Sequence, residues 1–182
     1  MKIIETGFDD LYILEPKVVM DNRGYFMESY HYEDLFRQGI DIRFVQDNQS
    51  KSKKGVLRGL HFQNAPFAQT KLIRTLSGNI LDVALDLRVN KRTYGKAYTL
   101  ELSAENRKQL LVPKGFAHGF LVLSDEAEIL YKCDELYHPE AEGGIIYNDP
   151  NLAIDWRISA DQIILSLRDQ QHPMLNKAHF TF

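Results

Sequence analysis

The chain has 182 residues, 22 of them basic and 25 acidic, for a net charge of −3 with neutral histidines. One domain spanning 1–182 is expected, since a chain of this size buries about 70% of its unfolded surface without help from disulfides or metals. The 44% hydrophobic and 26% charged content excludes disordered and fibrous classes, and the absence of excess positive charge excludes non-specific nucleic-acid binding.

The N-terminus, Met1-Lys2-Ile3-Ile4-Glu5-Thr6, lacks the apolar run and small-residue cleavage site of a signal peptide. No stretch reaches the roughly 18 uninterrupted apolar residues of a membrane span. Cys133 is the single cysteine, so no internal disulfide can form and a reducing compartment is favoured. The expectation is a cytoplasmic protein without membrane contact.

Short runs of β-branched and aromatic residues recur between turn signals, the pattern of an all-β barrel or sandwich. In chain order the spacing predicts strands at 11–16 and 24–30. Two helical turns follow over 31–38, closed by Gly39 where a left-handed residue ends a helix. Strands are next expected at 44–48 and 56–63, then a hairpin of 72–76 with 81–89 about the Gly78-Asn79 turn. In Leu81-Asp82-Val83-Ala84-Leu85-Asp86-Leu87-Arg88-Val89 the odd positions are apolar and the even ones polar or small, which reads as a half-buried strand. Further strands fit 94–102, 108–112, 119–123 and 128–134. Ser159 with Gln162 three residues on resembles a capping box and predicts a short C-terminal helix. Many strands with few helices favour a β-barrel or jelly roll over an α/β fold.

Several common chemistries find no support. There is no glycine-rich phosphate loop, and Cys133 lacks a nucleophile's flanking motif. In His61-Phe62-Gln63 an amide stands where a two-histidine strand motif has its second imidazole, and amide oxygens bind transition metals weakly. No metal is therefore expected. What stands out is polar residues inside apolar strands. Arg58-Gly59-Leu60-His61-Phe62-Gln63 carries three such side chains. In an extended Gly115-Phe116-Ala117-His118-Gly119-Phe120, His118 shares the inward face with Phe116, Phe120 and Val122. Tyr131 likewise shares a face with Ile129 and Cys133. A lone polar residue on such a face is ordinarily a satisfied core group, but several on different strands each demand a partner. Arg58 and His61, three apart, would face opposite ways in a regular strand; Gly59 between them marks the place for a bulge.

These residues resemble those of the dTDP-4-dehydrorhamnose 3,5-epimerases of dTDP-L-rhamnose synthesis. The resemblance runs through Asp21-Asn22-Arg23-Gly24-Tyr25-Phe26-Met27-Glu28, Gln46-Asp47-Asn48-Gln49-Ser50, Gly55-Val56-Leu57-Arg58-Gly59-Leu60-His61 and Lys71-Leu72-Ile73-Arg74. It continues through Leu102-Ser103-Ala104-Glu105-Asn106, Pro113-Lys114-Gly115-Phe116-Ala117-His118-Gly119-Phe120 and Asn148-Asp149-Pro150. The resemblance implies a cupin-like jelly roll and a homodimer in which N-terminal strands, about 1–50, are exchanged between subunits. It implies inversion of C3 and C5 of dTDP-4-dehydro-6-deoxy-D-glucose, with no redox cofactor or metal required. Both carbons flank the C4 ketone, so the reaction calls for a base, an electrophile at the ketone oxygen and an acid on the opposite face.

By matching motif, His61 takes the role of general base, Asp169 its carboxylate partner, Tyr131 the opposing acid and Lys71 the cation beside the C4 oxygen. His118 borders the sugar, and Arg23 and Arg58 suit the diphosphate. Glu28, Gln46, Asp47, Asn48, Glu142 and Arg168 fall at nucleotide- or pyrophosphate-binding positions, and Tyr137 at the thymine ring. Arg168 replaces a lysine common in the family, and Thr70 a glycine. His31, His138, His172 and His179 have no motif behind them and are left as structural or surface residues. Two alternatives stay open: an epimerase inverting only C3 or C5 of a related dTDP-4-keto sugar, and a non-catalytic sugar-nucleotide-binding cupin. A metal-dependent cupin is a third.

Overall fold

The computed structural model describes residues 1–182. Its strands are β1 (Lys2–Glu5), β2 (Tyr12–Glu15), β3 (Val18–Asp21), β4 (Gly24–Met27), β5 (Gln46–Lys53), β6 (Leu57–Gln63) and β7 (Lys71–Ser77). They continue with β8 (Asn79–Asp86), β9 (Ala97–Ser103), β10 (Gln109–Val112), β11 (Phe116–Val122), β12 (Glu126–Cys133) and β13 (Glu142–Gly144). A six-stranded sheet has the order β1-β2-β10-β7-β12-β5, and a five-stranded sheet the order β13-β6-β11-β8-β9. All of their strand pairings are antiparallel. The two sheets face each other as a jelly-roll sandwich, as the strand-rich sequence implies.

Period-two alternation decides which side chains enter the space between the sheets. Ile73, Ala127, Ile129 and Leu110 of one sheet meet Ile80, Ala84, Phe116, Phe120 and Val122 of the other in the largest buried cluster. Each of the larger side chains among them (Val, Leu, Ile, Phe) contributes about 1.5–3 kcal/mol when fully buried. A second cluster covers the outer face of the five-stranded sheet. There Leu57, Leu60, Leu81, Val83, Leu85 and Leu121 pack against Ile145, Leu152 and Trp156 of the C-terminal segment. The 81–89 segment is therefore not half-buried: β8 buries both faces, and its even side places Asp82 and Asp86 inside, both fully buried.

The predicted hairpin of 72–76 with 81–89 does not form. β7 pairs with β10 and β12, while β8 pairs with β9 and β11. The turn at Gly78 instead carries the chain from one sheet to the other. Gly78 has φ of 71°, and a Cβ there would collide with the Glu126 carbonyl, so no other residue fits.

Helix α1 (Tyr32–Arg37) occupies the predicted place. His31 caps it, with Nδ1 accepting from the Asp34 amide, and Gly39 follows it at φ 89°. Leu35 anchors α1 against Leu14, Leu72 and Leu111 on the outer face of the six-stranded sheet. The Ser159 capping box is absent: Ser159 makes no side-chain cap and Ala160–Gln162 is one 3-10 turn. Sequence reasoning also missed β1, β3 and β13, which have three or four residues each. No helix is long and apolar enough to cross a membrane.

Candidate active site

Two adjoining cavities open between the sheets, with volumes of about 290 and about 480 Å³, and share His61, Lys71 and Tyr131 in their walls. His61 comes from the five-stranded sheet, whereas Lys71 and Tyr131 come from the six-stranded one. His61 and Tyr131 therefore enter the shared walls from opposite sheets.

The wall containing His61 depends on a bulge. Across the β6–β11 ladder His118 pairs with His61 but Phe120 pairs with Arg58, so Gly59 and Leu60 together oppose Gly119. The extra residue brings Arg58 and His61 to the same, inward face, while Leu57, Leu60 and Phe62 pack outward. Arg58 Nε reaches Ser52 Oγ of the facing sheet at 3.1 Å. Gly59 is required here, since its φ is 139° and a Cβ would lie 2.6 Å from Gly119 Cα.

His61 Nε2 lies 2.7 Å from Asp169 Oδ1. Asp169 arrives from far along the chain: after β13 the chain covers the five-stranded sheet, then returns beside β6 through a parallel bridge of Ile164 to Val56. Burial raises the Asp169 pKa, but the contacts from His172 and His61 outweigh it and hold the carboxyl well below the usual range. His172 Nε2 stands 3.4 Å from the same Asp169 oxygen that His61 meets at 2.7 Å. An ionised carboxylate only accepts, so His61 Nε2 carries the proton and Nδ1 keeps the free lone pair.

Burial pushes the Tyr131 phenol above its ordinary pKa, so it stays protonated at neutral pH. Desolvation lowers Lys71, against the opposing pull of Cys133, Glu142 and Asp82. His118 Nε2 is 3.0 Å from both carboxylate oxygens of Asp82, with both residues buried. Gln46, Asn48, Tyr137 and Glu142 line the smaller cavity, and Arg58, His118, Arg168 and Asp169 the larger. Glu142 ties two of them together: Tyr137 Oη donates to it at 2.5 Å and Arg168 pairs with it at 2.6 Å.

Three predicted positions lie outside this cluster within the single chain. Asp47 falls on the outward side of the β5 alternation and pairs with Lys132 at 2.9 Å. Arg23 and Glu28 belong to the β3–β4 region, where Arg23 is 85% exposed and bonded to Asp21. Two residues at the site were missed. Asp82 left a trace, a charge on a strand of apolar neighbours, but the solvent face was assumed for it. His172, left above as structural or surface, sits against the His61–Asp169 pair, and its single-histidine context held no signal.

Residues 5–177 match the family model of dTDP-4-dehydrorhamnose 3,5-epimerase. The chain belongs to that family. It is 50% identical over 170 residues to the dTDP-4-dehydrorhamnose 3,5-epimerase of Methanothermobacter thermautotrophicus, covering 93% of this chain and 91% of the relative. The crystal structure of the epimerase from Elizabethkingia anophelis superposes with a TM-score of 0.93 at 50% identity, over 98% of this chain and 99% of that one. The enzyme from Legionella pneumophila in complex with dTDP-4-keto-L-rhamnose gives 0.92 at 48% identity, over 97% and 93%. The cupin-like jelly roll and the epimerase family implied by the sequence motifs both hold.

Proposed function

We propose that this epimerase inverts C3 and C5 of dTDP-4-dehydro-6-deoxy-D-glucose, giving dTDP-4-dehydro-L-rhamnose. The observation that carries this reading is the placement of His61 and Tyr131 on opposed sheets, with Lys71 beside Tyr131's strand, in the walls shared by the two adjoining cavities. His61 Nδ1 takes the proton from the carbon beside the C4 ketone, and the resulting imidazolium is stabilised by Asp169. The electron pair moves onto the ketone oxygen, where the Lys71 ammonium balances the enolate charge; one well-aimed donor of this kind contributes about 3–4 kcal/mol. His118, held by Asp82, supports the same charge. Tyr131 then donates its phenolic proton to the opposite face of the carbon, and solvent returns both groups to their starting protonation. The cycle repeats at the second carbon.

Arg58 and Arg168 sit at the rim of the larger cavity, where guanidinium forks suit a diphosphate. Gln46, Asn48, Tyr137 and Glu142 form the neighbouring nucleotide end, with Tyr137 placed to stack on thymine. The enzyme works as a homodimer in which the N-terminal β3–β4 segment carrying Arg23 and Glu28 reaches the partner's nucleotide, whereas β1, β2 and β5, within the expected 1–50 exchange, pair with strands of their own chain. The β3–β4 hairpin supports this: it pairs only with itself and exposes Val19, Met20, Tyr25 and Phe26, the last by 68%. Residues 1–182 form one functional unit in the cytoplasm.

Incubation with dTDP-4-keto-6-deoxyglucose in D2O tests the reaction. Deuterium is expected at both C3 and C5; label at one carbon only overturns double epimerisation, and no label at either overturns the enzyme reading.

A further inference from the structure

His172 has no part in the proton transfers above, yet its ring closes on the same carboxylate. Its Nε2 is 3.4 Å from Asp169 Oδ1, and the His61 and His172 rings meet edge to face with centroids 5.3 Å apart. The His172 side chain is only 9% exposed, and its Nε2 has no hydrogen-bond partner. A buried polar atom of this kind ordinarily has a partner. The ring is held in place by Gly144 of β13, where any Cβ would collide with it.

The donor atoms of His61, Asp169 and His172 all lie within 4.8 Å of one another. A tetrahedral ion with bonds of about 2.0–2.1 Å spaces its ligands by about 3.3 Å. The His172–Asp169 separation already has that spacing. The His61–Asp169 pair reaches it by opening about 0.6 Å. Two imidazoles and one carboxylate form a donor set that zinc favours, with the cavity supplying an open fourth position.

We propose that His61, Asp169 and His172 form a binding site for a zinc-class divalent cation, and that its occupation switches the epimerase off. The inhibitory half rests on His61 acting as the base. Without metal, Nε2–H donates to Asp169 and Nδ1 keeps its lone pair. A cation on Nε2 takes the ring in its other neutral tautomer: the single proton leaves Nε2 and is returned by solvent to Nδ1, so the ring stays neutral. The lone pair that would accept the substrate's proton is then gone. The Asp169 oxygen that would stabilise the imidazolium is committed to the metal as well. No His-x-His pair along one strand marks this site, because its third ligand lies 111 residues beyond His61.

Cobalt(II) chloride added to the metal-free protein reads binding without reference to turnover. A visible absorption band of tetrahedral cobalt, saturating at one ion per chain, is expected, and zinc chloride should bleach it. His172→Phe keeps a ring over Gly144 and should lose the band; His172→Gln serves as the second variant, with melting curves reporting the fold of both. Zinc should inhibit wild-type turnover reversibly with EDTA, and each variant should need at least about tenfold more zinc relative to its own metal-free rate. No band in the wild type, or equal bands in both variants, overturns the site. A band lost in the variants with turnover indifferent to zinc overturns the inhibitory role and counts against His61 as base.

Discussion

His61 and His118 stand directly opposite each other across the β6–β11 ladder, and each has its own carboxylate. Their surroundings separate their roles. His61 pairs through one nitrogen with Asp169 at the cavity edge and is 29% exposed, so it can meet a substrate. His118 is clamped by both oxygens of a fully buried Asp82, deeper between the sheets. Two imidazoles on neighbouring strands thus differ in access: one meets the cavity, the other is fixed between the sheets.

His61→Ala and Tyr131→Phe should each lower turnover by about 10²–10⁴, the usual contribution of a positioned acid or base. Neither side chain is assigned to the nucleotide, so dTDP affinity by calorimetry should stay nearly unchanged. Full turnover in His61→Ala would remove the proposed mechanism.

Lys71→Met should act on stability and activity in opposite directions. Burial lowers the lysine's pKa, so the charged form is penalised in the folded state. That penalty is complete below the folded pKa and vanishes above the unfolded value of about 10.4. At pH 7 the variant should melt about 2–4 °C higher for each kcal/mol relieved, with the gain fading toward pH 10.5. Turnover should fall by about 10²–10³. A variant that melts lower at pH 7 contradicts the desolvation argument.

Asp169→Asn should lose stability in a pH-dependent way. The native carboxyl titrates well below its unfolded pKa of about 3.9, so its contribution is fully present above about pH 5. It disappears as pH falls through the depressed native value. The gap in melting temperature between wild type and variant should therefore narrow from pH 6 to pH 3; a constant gap would show that ionised Asp169 is not favoured by the fold.

Gly59→Ala should disturb the site through the backbone alone. The new Cβ meets Gly119 Cα at 2.6 Å, and φ of 139° suits glycine only. A loss of about 2 kcal/mol or more is expected, with turnover reduced because the bulge aims both Arg58 and His61. Unchanged melting and kinetics would mean that the bulge is not needed.

Met20→Asp with Phe26→Asp places two charges on the exposed hairpin. Light scattering should give twice 21.1 kDa for the wild type and a single chain's mass for the variant, with weakened dTDP binding. An identical mass for both argues against exchange through this hairpin.

Much of the molecule was legible in one dimension. Alternation located β6, β11 and β12 and put His118 beside Phe116 and Phe120, and Tyr131 beside Ile129, because side chains two apart must share a face. The Gly39 stop of α1 and the bulge at Gly59 followed from local backbone chemistry that few other residues tolerate. Matched motifs identified the family and named His61 with Asp169 before either was seen together. Long-range arrangement was a different matter. A turn signal at Gly78 does not say whether the next strand pairs with the last or crosses to the opposite sheet. An acid at Asp82 reads as solvent-facing until the second sheet covers it, and His172 gains a meaning only when the C-terminal segment folds back over β13. Local sequence sets torsions and faces; which faces meet depends on packing between segments a hundred residues apart, and tertiary structure alone decides that.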